Sequence, residues 1–259
     1  MDWAYKGMLT AVVVAAVLMA APLFGRRVAG LLAGLPVITI PALLWLSADR
    51  GVAFAAESAI GSVAASGAAA VFALTYQRLG QRLGPALSLV GSLVLAGALA
   101  AMLAMANLGA AGALTVALVA CALVLRALPA VDPATRPPRP LRGELWIVAG
   151  IAGLVSAVLA AGAAQFGPFW SGLLASLPVI SACVLVHLHL TADGASIARF
   201  LRGYVVGLGC KALFGIGFAV LVIHWPAPLA ALLALAAALT VGRLAWLRPR
   251  PVAPRSTPA

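Results

Sequence analysis

Residues 24–39 read FGRRVAGLLAGLPVIT, and residues 166–181 read FGPFWSGLLASLPVIS. At a constant offset of 142 positions Phe-Gly, Gly-Leu-Leu-Ala and Leu-Pro-Val-Ile coincide, and a hydroxyl residue closes each copy. A chain rich in Ala and Leu yields some identity by chance. The shared Phe-Gly and the shared proline in mid-span at one spacing point instead to an internal duplication.

Both copies lie in apolar runs. The chain has 259 residues, 64% apolar and 9% charged, with mean hydropathy +1.12, well outside the composition of soluble domains. Runs long enough to cross hydrocarbon, 17 to 25 residues or more, fall at residues 8–24, 28–48, 51–76, 85–105, 109–128, 145–165, 169–190, 195–223 and 227–246. The expected fold is therefore all-α: a polytopic transmembrane bundle of about nine helices whose main partner is the lipid bilayer.

The net charge of +11 does not signal nucleic acid, because the basic residues sit between apolar runs. If nine helices alternate, fourteen arginines share one side: Arg26, Arg27, Arg78, Arg82, Arg126, Arg136, Arg139, Arg142, Arg199, Arg202, Arg243, Arg248, Arg250 and Arg255. The other side receives Lys6 and Arg50, each near an aspartate (Asp2, Asp49). By the positive-inside rule the amino terminus is expected outside and the carboxyl terminus in the cytoplasm of a bacterial inner membrane. Met19-Ala20-Ala21 resembles a signal cleavage site, but the run before it is long and Arg26-Arg27 follows, so it reads as helix one. Trp3, Trp45, Trp146, Trp170, Trp225 and Trp246 all fall near span ends, as an interfacial belt requires.

On this topology the copy in helix two runs outward and the copy in helix seven inward, so the duplication is inverted. The residues after Phe-Gly agree, being Arg26-Arg27 on the cytoplasmic side and Pro168-Phe169-Trp170 on the outer side. Two inverted four-helix repeats, residues 1–105 and 144–247, are then joined by a linker helix and Pro-rich loop at residues 106–143. A basic tail, residues 248–259, follows. Helix three carries Ser58, Ser62 and Ser66, and helix eight carries Gly203, Gly207, Gly209, Gly215 and Gly217. Small residues at such spacing let backbones approach, which places these two helices centrally.

Candidate chemistry is sparse. Pro36 and Pro178 remove the N–H groups that would bond the carbonyls of Leu32 and Leu174, and Pro41 does the same to Val37. Proline-interrupted spans at matching positions of two halves point to a transporter's midplane site. Thr39 and Ser181, about one turn beyond each shared proline, are the hydroxyls placed to complete it. Lys211 lies near the middle of helix eight, about 20 Å from its outer end, and Glu57 about 9 Å inside helix three, at about 1.5 Å per residue. Intramembrane charges are functional candidates by default: Lys211 for an anionic group or proton transfer, Glu57 for proton coupling. His187 and His189, two apart, point to different helix faces and read as interfacial. Arg199 and Arg202 read as snorkelling or capping groups at the end of helix eight. Cys121, Cys183 and Cys210 lie within spans with no metal-ligand spacing, and no catalytic motif or P-loop is present. Neither enzymatic activity nor a cofactor is expected.

At Gly-Leu-Leu-Ala-Gly-Leu-Pro (residues 30–36) the chain resembles the GlpM-like family of small bacterial membrane proteins, in which a Gly- and Leu-rich segment leading into proline follows the first hydrophobic helix. The resemblance covers about residues 24–61 and 166–203 and implies a duplicated, fused unit, without an activity to carry over. The leading expectation is a secondary transporter or exporter of a small solute, with Pro36, Thr39, Glu57, Pro178, Ser181 and Lys211 at its site. The rival is a noncatalytic membrane scaffold or accessory subunit of an envelope-assembly system. Substrate, direction and coupling ion are not written in the sequence, which is compatible with a homo-oligomer.

Overall fold

The computed structural model describes residues 25–106, 108–130, 167–174 and 178–247, together with Met8, Val12, Gly150, Leu154 and Ser176. The helices expected at 8–24 and 145–165, most of the Pro-rich segment and the basic tail lie outside the described residues, as do Trp3 and Trp146. Among the described residues the fold is entirely helical: α1 (Arg26–Gly34), α2 (Thr39–Arg50), α3 (Val52–Leu79), α4 (Pro85–Met105), α5 (Ala110–Ala127), α6 (Pro168–Leu174), α7 (Val179–Thr191), α8 (Gly194–Leu221) and α9 (Ala227–Leu247). Helices are what an apolar chain in lipid must form, because each bonds its own backbone polar groups. Among the described residues five candidate spans are long and apolar enough to cross a membrane: the α1–α2 pair (Arg26–Arg50), α3, α4, α5 and α8.

The two runs expected to be kinked single helices are interrupted instead. Leu35 closes α1 in extended conformation, φ −67° and ψ 159°, which is where the residue before a proline is driven by the ring's Cδ. Its N–H bonds the carbonyls of Leu31 and Leu32 at 3.0 and 3.3 Å, so the carbonyl that Pro36 would have orphaned is met locally. Pro41 occupies the third position of α2; its neighbours Ile40 and Ala42 bond the carbonyls of Pro36 and Ile38, so the carbonyl of Val37 is the one its missing N–H leaves without a backbone donor.

Helices α3 and α8 form the centre. Buried positions make up 78% of the apolar window of α3 and 61% of that of α8, against 28% for α4 and 22% for α5. Leu87, Val90, Val94 and Met102 on α4, and Leu232 and Val241 on α9, are left on the outside. The central pair is antiparallel. Ala55 and Ala59 pack with Phe214 and Phe218 at one end, and Phe72, Ala73 and Tyr76 with Phe200, Leu201 and Val205 at the other. Midway between lie Ser66 and Leu208.

Each short half-helix then packs across to the other half of the chain. Helix α1 lies along α8, and α6 along α3. The approach is backbone to backbone: a Cβ on Gly30 would strike the carbonyl of Phe200, and one on Gly203 that of Arg27. On the other side a Cβ on Gly172 would strike the carbonyl of Ser58, and one on Gly61 that of Phe169. These are the same two contacts shifted by 142 positions. The offset also relates the bounds of α3 to those of α8 and of α4 to those of α9, although the last pair shares little sequence. Gly25 and Gly167, 142 apart, precede α1 and α6 with φ of 84° and 89°.

Charges gather where α1 and α8 begin. Asp193 caps α8, accepting from the Ser196 N–H at 3.0 Å and from the Ser196 hydroxyl, and Arg26 approaches it at 3.6 Å. The Ser196 hydroxyl bond, followed by its N–H bond and Arg26, holds the Asp193 carboxyl below the usual carboxylate range. Arg199 bonds the Ala195 carbonyl and Ser196 Oγ of its own helix. Arg202 reaches elsewhere than expected: its Nη1 donates to the carbonyls of Leu128 at 2.8 Å and Pro129 at 3.2 Å, capping α5 rather than α8.

Two predictions follow from this packing. Gly203→Leu or Gly61→Leu lowers stability by about 1 to 3 kcal/mol through overpacking, read as a fall in the thermal midpoint in detergent. Gly97→Ala, where a Cβ meets open space, leaves the midpoint unchanged or raises it. Asp193→Ala removes the cap at about 1 kcal/mol. Because its folded carboxyl titrates below the unfolded value, the contribution is present at neutral pH and disappears as pH falls through the folded value. Unfolding midpoints of the two proteins therefore differ at pH 7 and converge in acid.

Candidate functional site

The two interruptions meet. A cavity of about 40 Å³, space for about three waters, is lined by the backbone turn from Leu32 to Thr39 without Pro36, by Ser176, Pro178 and Ser181 of the second break, and by Tyr204, Leu208 and Lys211 of α8. Four of the six residues selected from the sequence, Thr39, Pro178, Ser181 and Lys211, thus converge on one space. Pro36 is buried behind the lining and acts through the turn it imposes. Glu57 stands apart: its residue is exposed on the second turn of α3 and does not line the cavity.

The local chain explains each placement. Ending α1 at Gly34 and restarting at Thr39 turns the backbone across the face of α8, where Gly34 and Gly207 admit it. A Cβ on Gly207 would lie 2.8 Å from the Cα of Gly34. Tyr204, Leu208 and Lys211 recur at i, i+4 and i+7 and so share one face of α8. That face is the one α1 covers as far as its break.

The polar groups of the wall fall into two sets. Ser181 Oγ donates to the Pro178 carbonyl at 3.0 Å, and Tyr204 lines the same wall. The serine's proton is thus committed to that carbonyl. The second set is unspent. Ser176 Oγ is buried with no partner among the described residues. Lys211 is 6% exposed, and among the described residues neither a hydrogen bond nor an ion pair reaches it. Thr39 is buried at the first position of α2. A buried donor without an acceptor is costly, and an ammonium in such a place more so. The cavity is the space into which a ligand or water would bring the missing acceptors.

Sequence reasoning missed Tyr204 and Ser176. A signal existed for both. Tyr204 lies two turns before Lys211 on the same face, and Ser176 replaces Gly34 in the otherwise matching Gly-Leu-Leu-Ala-x-Leu-Pro motif. His189, read as interfacial, approaches the Tyr76 hydroxyl at 3.4 Å through Nδ1, at the far end of α3 from Glu57. Searches against protein-family models, curated proteins and solved structures match nothing, so the site is read from its own chemistry.

Proposed function

We propose that the protein is a secondary transporter of a small solute, built from two inverted-topology repeats, with the cavity between the broken helices as its midplane site. The observation that carries this is the convergence of both proline breaks and the one intramembrane lysine on a single space. Broken helices whose ends face a shared cavity are how transporters expose backbone polar groups to a solute inside the bilayer. The antiparallel crossing of α3 and α8, with the reciprocal contacts of α1 and α6, supports a pseudo-two-fold axis lying in the membrane plane. Under that axis the repeats rock against each other around a fixed site. The arginine distribution supports an outer amino terminus and a cytoplasmic carboxyl terminus in a bacterial inner membrane.

Lys211 is the binding group in this reading, Thr39 and Ser176 are polar contacts, and Ser181 with Tyr204 holds the wall in place. Glu57 does not line the cavity, and among the described residues no contact links it to Lys211. In proteoliposomes of the full chain, solute uptake falls at least tenfold in Lys211→Ala, the loss of about 1.4 kcal/mol or more of charged hydrogen bonding. Glu57→Gln stays within about twofold. Uptake that ignores Lys211→Ala removes the lysine from the route, and absence of uptake for every solute tried favours the scaffold role instead. Topology is checked separately. Single cysteines at positions 24 and 166, in a chain whose own cysteines are replaced, are expected to react with an impermeant thiol reagent from opposite faces of the membrane.

A further inference from the structure

We propose that the cavity binds a small monovalent anion, held by Lys211, the Ser176 hydroxyl and the N-terminal N–H groups of α2. This deepens the transport reading by naming the class of solute, and rests on it only for movement of the anion, since binding is measured apart from flux.

Charge is the first argument. Neither an aspartate nor a glutamate lines the cavity, so the ammonium of Lys211 has no built-in counter-charge among the described residues. Cations in such positions need an acid, carbonyl ligands or a water-filled space. The Pro178 carbonyl is already engaged by Ser181, and those of Leu31, Leu32, Leu35 and Pro36 by backbone N–H groups. The carbonyls of Ala33, Gly34 and Val37, also wall residues, meet no backbone donor among the described residues; they are neutral acceptors, and none carries a full negative charge.

The backbone adds to the positive side. Helix α2 has 12 residues and begins at Thr39, on the cavity wall. Among the described residues no backbone acceptor meets the N–H groups of Ile38 and Thr39, both of which belong to wall residues. Helix α7, with 13 residues, starts just after Pro178, so a second helix N-terminus faces the same space. Each such end carries roughly half a positive charge and unspent donors suited to an anion. The C-terminal turn of α1 at Leu32 to Gly34 opposes one of them. The end of α6 at Leu174 offsets α7 in the same way, so what remains is of order one net positive charge, that of the lysine, which matches a single negative charge rather than two.

Size and donors narrow the class further. Ser176 Oγ is 5% exposed at residue level and has no partner among the described residues, so it is a donor free to face an anion. The Ser181 hydroxyl is committed to the Pro178 carbonyl. Space for about three waters admits a halide, nitrate or formate, and is too small for a sugar acid such as gluconate.

The test uses the full chain purified in detergent. Its thermal midpoint is followed against potassium chloride, nitrate and formate, with potassium gluconate holding ionic strength constant. At least one of the three small anions is expected to raise the midpoint saturably. Apparent affinity should fall about tenfold or more in Lys211→Met and about three- to tenfold in Ser176→Ala, as loss of charge-assisted hydrogen bonds implies. The serine variant removes one hydroxyl and keeps the site readable should the lysine variant misfold. Absence of a saturable shift with all three anions overturns the proposal, as does a shift that both variants leave unchanged. Chloride efflux from proteoliposomes separates the two readings. Saturable binding without efflux preserves the anion site and removes transport, whereas neutral-solute uptake without anion binding preserves transport and removes the anion site.

Discussion

Every backbone N–H and C=O held in hydrocarbon must find a partner, and two prolines in this chain prevent two helices from supplying their own. The consequence is a pair of interruptions, at Leu35 to Ile38 and before Val179, each of which has to be repaired or used. Part of the repair is local: Leu31 and Leu32 both accept from the Leu35 N–H. The rest faces the cavity, where among the described residues no backbone acceptor meets the N–H groups of Ile38 and Thr39. Left alone in lipid, either break would leave several polar groups unmet at a few kcal/mol each. The breaks therefore explain why the half-helices are buried at the centre rather than at the lipid face.

Burial at the centre requires close approach, and the small residues provide it. Gly30 on Phe200 and Gly203 on Arg27 let α1 lie along α8 with backbones in contact; Gly172 on Ser58 and Gly61 on Phe169 do the same for α6 and α3. Such pairs draw on van der Waals contact and weak Cα–H to carbonyl bonds, since lipid supplies no hydrophobic drive between helices. Their exchange between halves also interlocks the chain. A half-helix that packed within its own half of the chain would lose the contacts of α1 with α8 and of α6 with α3, and with them the reason for the breaks to share a cavity.

Much of this was written in the sequence, and what was not has a physical reason. Span positions follow from length and hydropathy, the break positions from Pro36 and Pro178, and the central place of α3 and α8 from their small-residue stripes. Thr39, Ser181 and Lys211 were found because polar groups in an apolar run are few. The partner of each half-helix was not legible, because a Gly-x-x-x-small pattern states that something approaches closely and not which helix it is. For the same reason Arg202 caps α5, 74 residues away, where sequence neighbours suggested α8. Glu57 misled for another reason. It shares a helix face with Gly61, yet α6 crosses α3 at Ser58 and Gly61 and leaves Glu57 at the edge of that contact, so the carboxylate stays outside. Only the extent of the covering helix separates the two outcomes.

The residues that make the cavity a site are those at which the two copies differ. At the 142-residue offset Lys211 corresponds to Ala69, Tyr204 to Ser62 and Ser176 to Gly34, while Thr39 and Ser181 remain a matched pair. Two half-chains matched at this offset supply two breaks and two sets of helix termini that nearly balance, which alone gives a polar gap with little preference for charge. A single lysine on one side, with tyrosine and serine added nearby, sets the sign. Restoring symmetry at Lys211 would keep the breaks, the glycine contacts and the gap. It would remove the one full charge to which the proposed anion responds. The fold thus depends on what the halves share, and the chemistry of the cavity on what they do not.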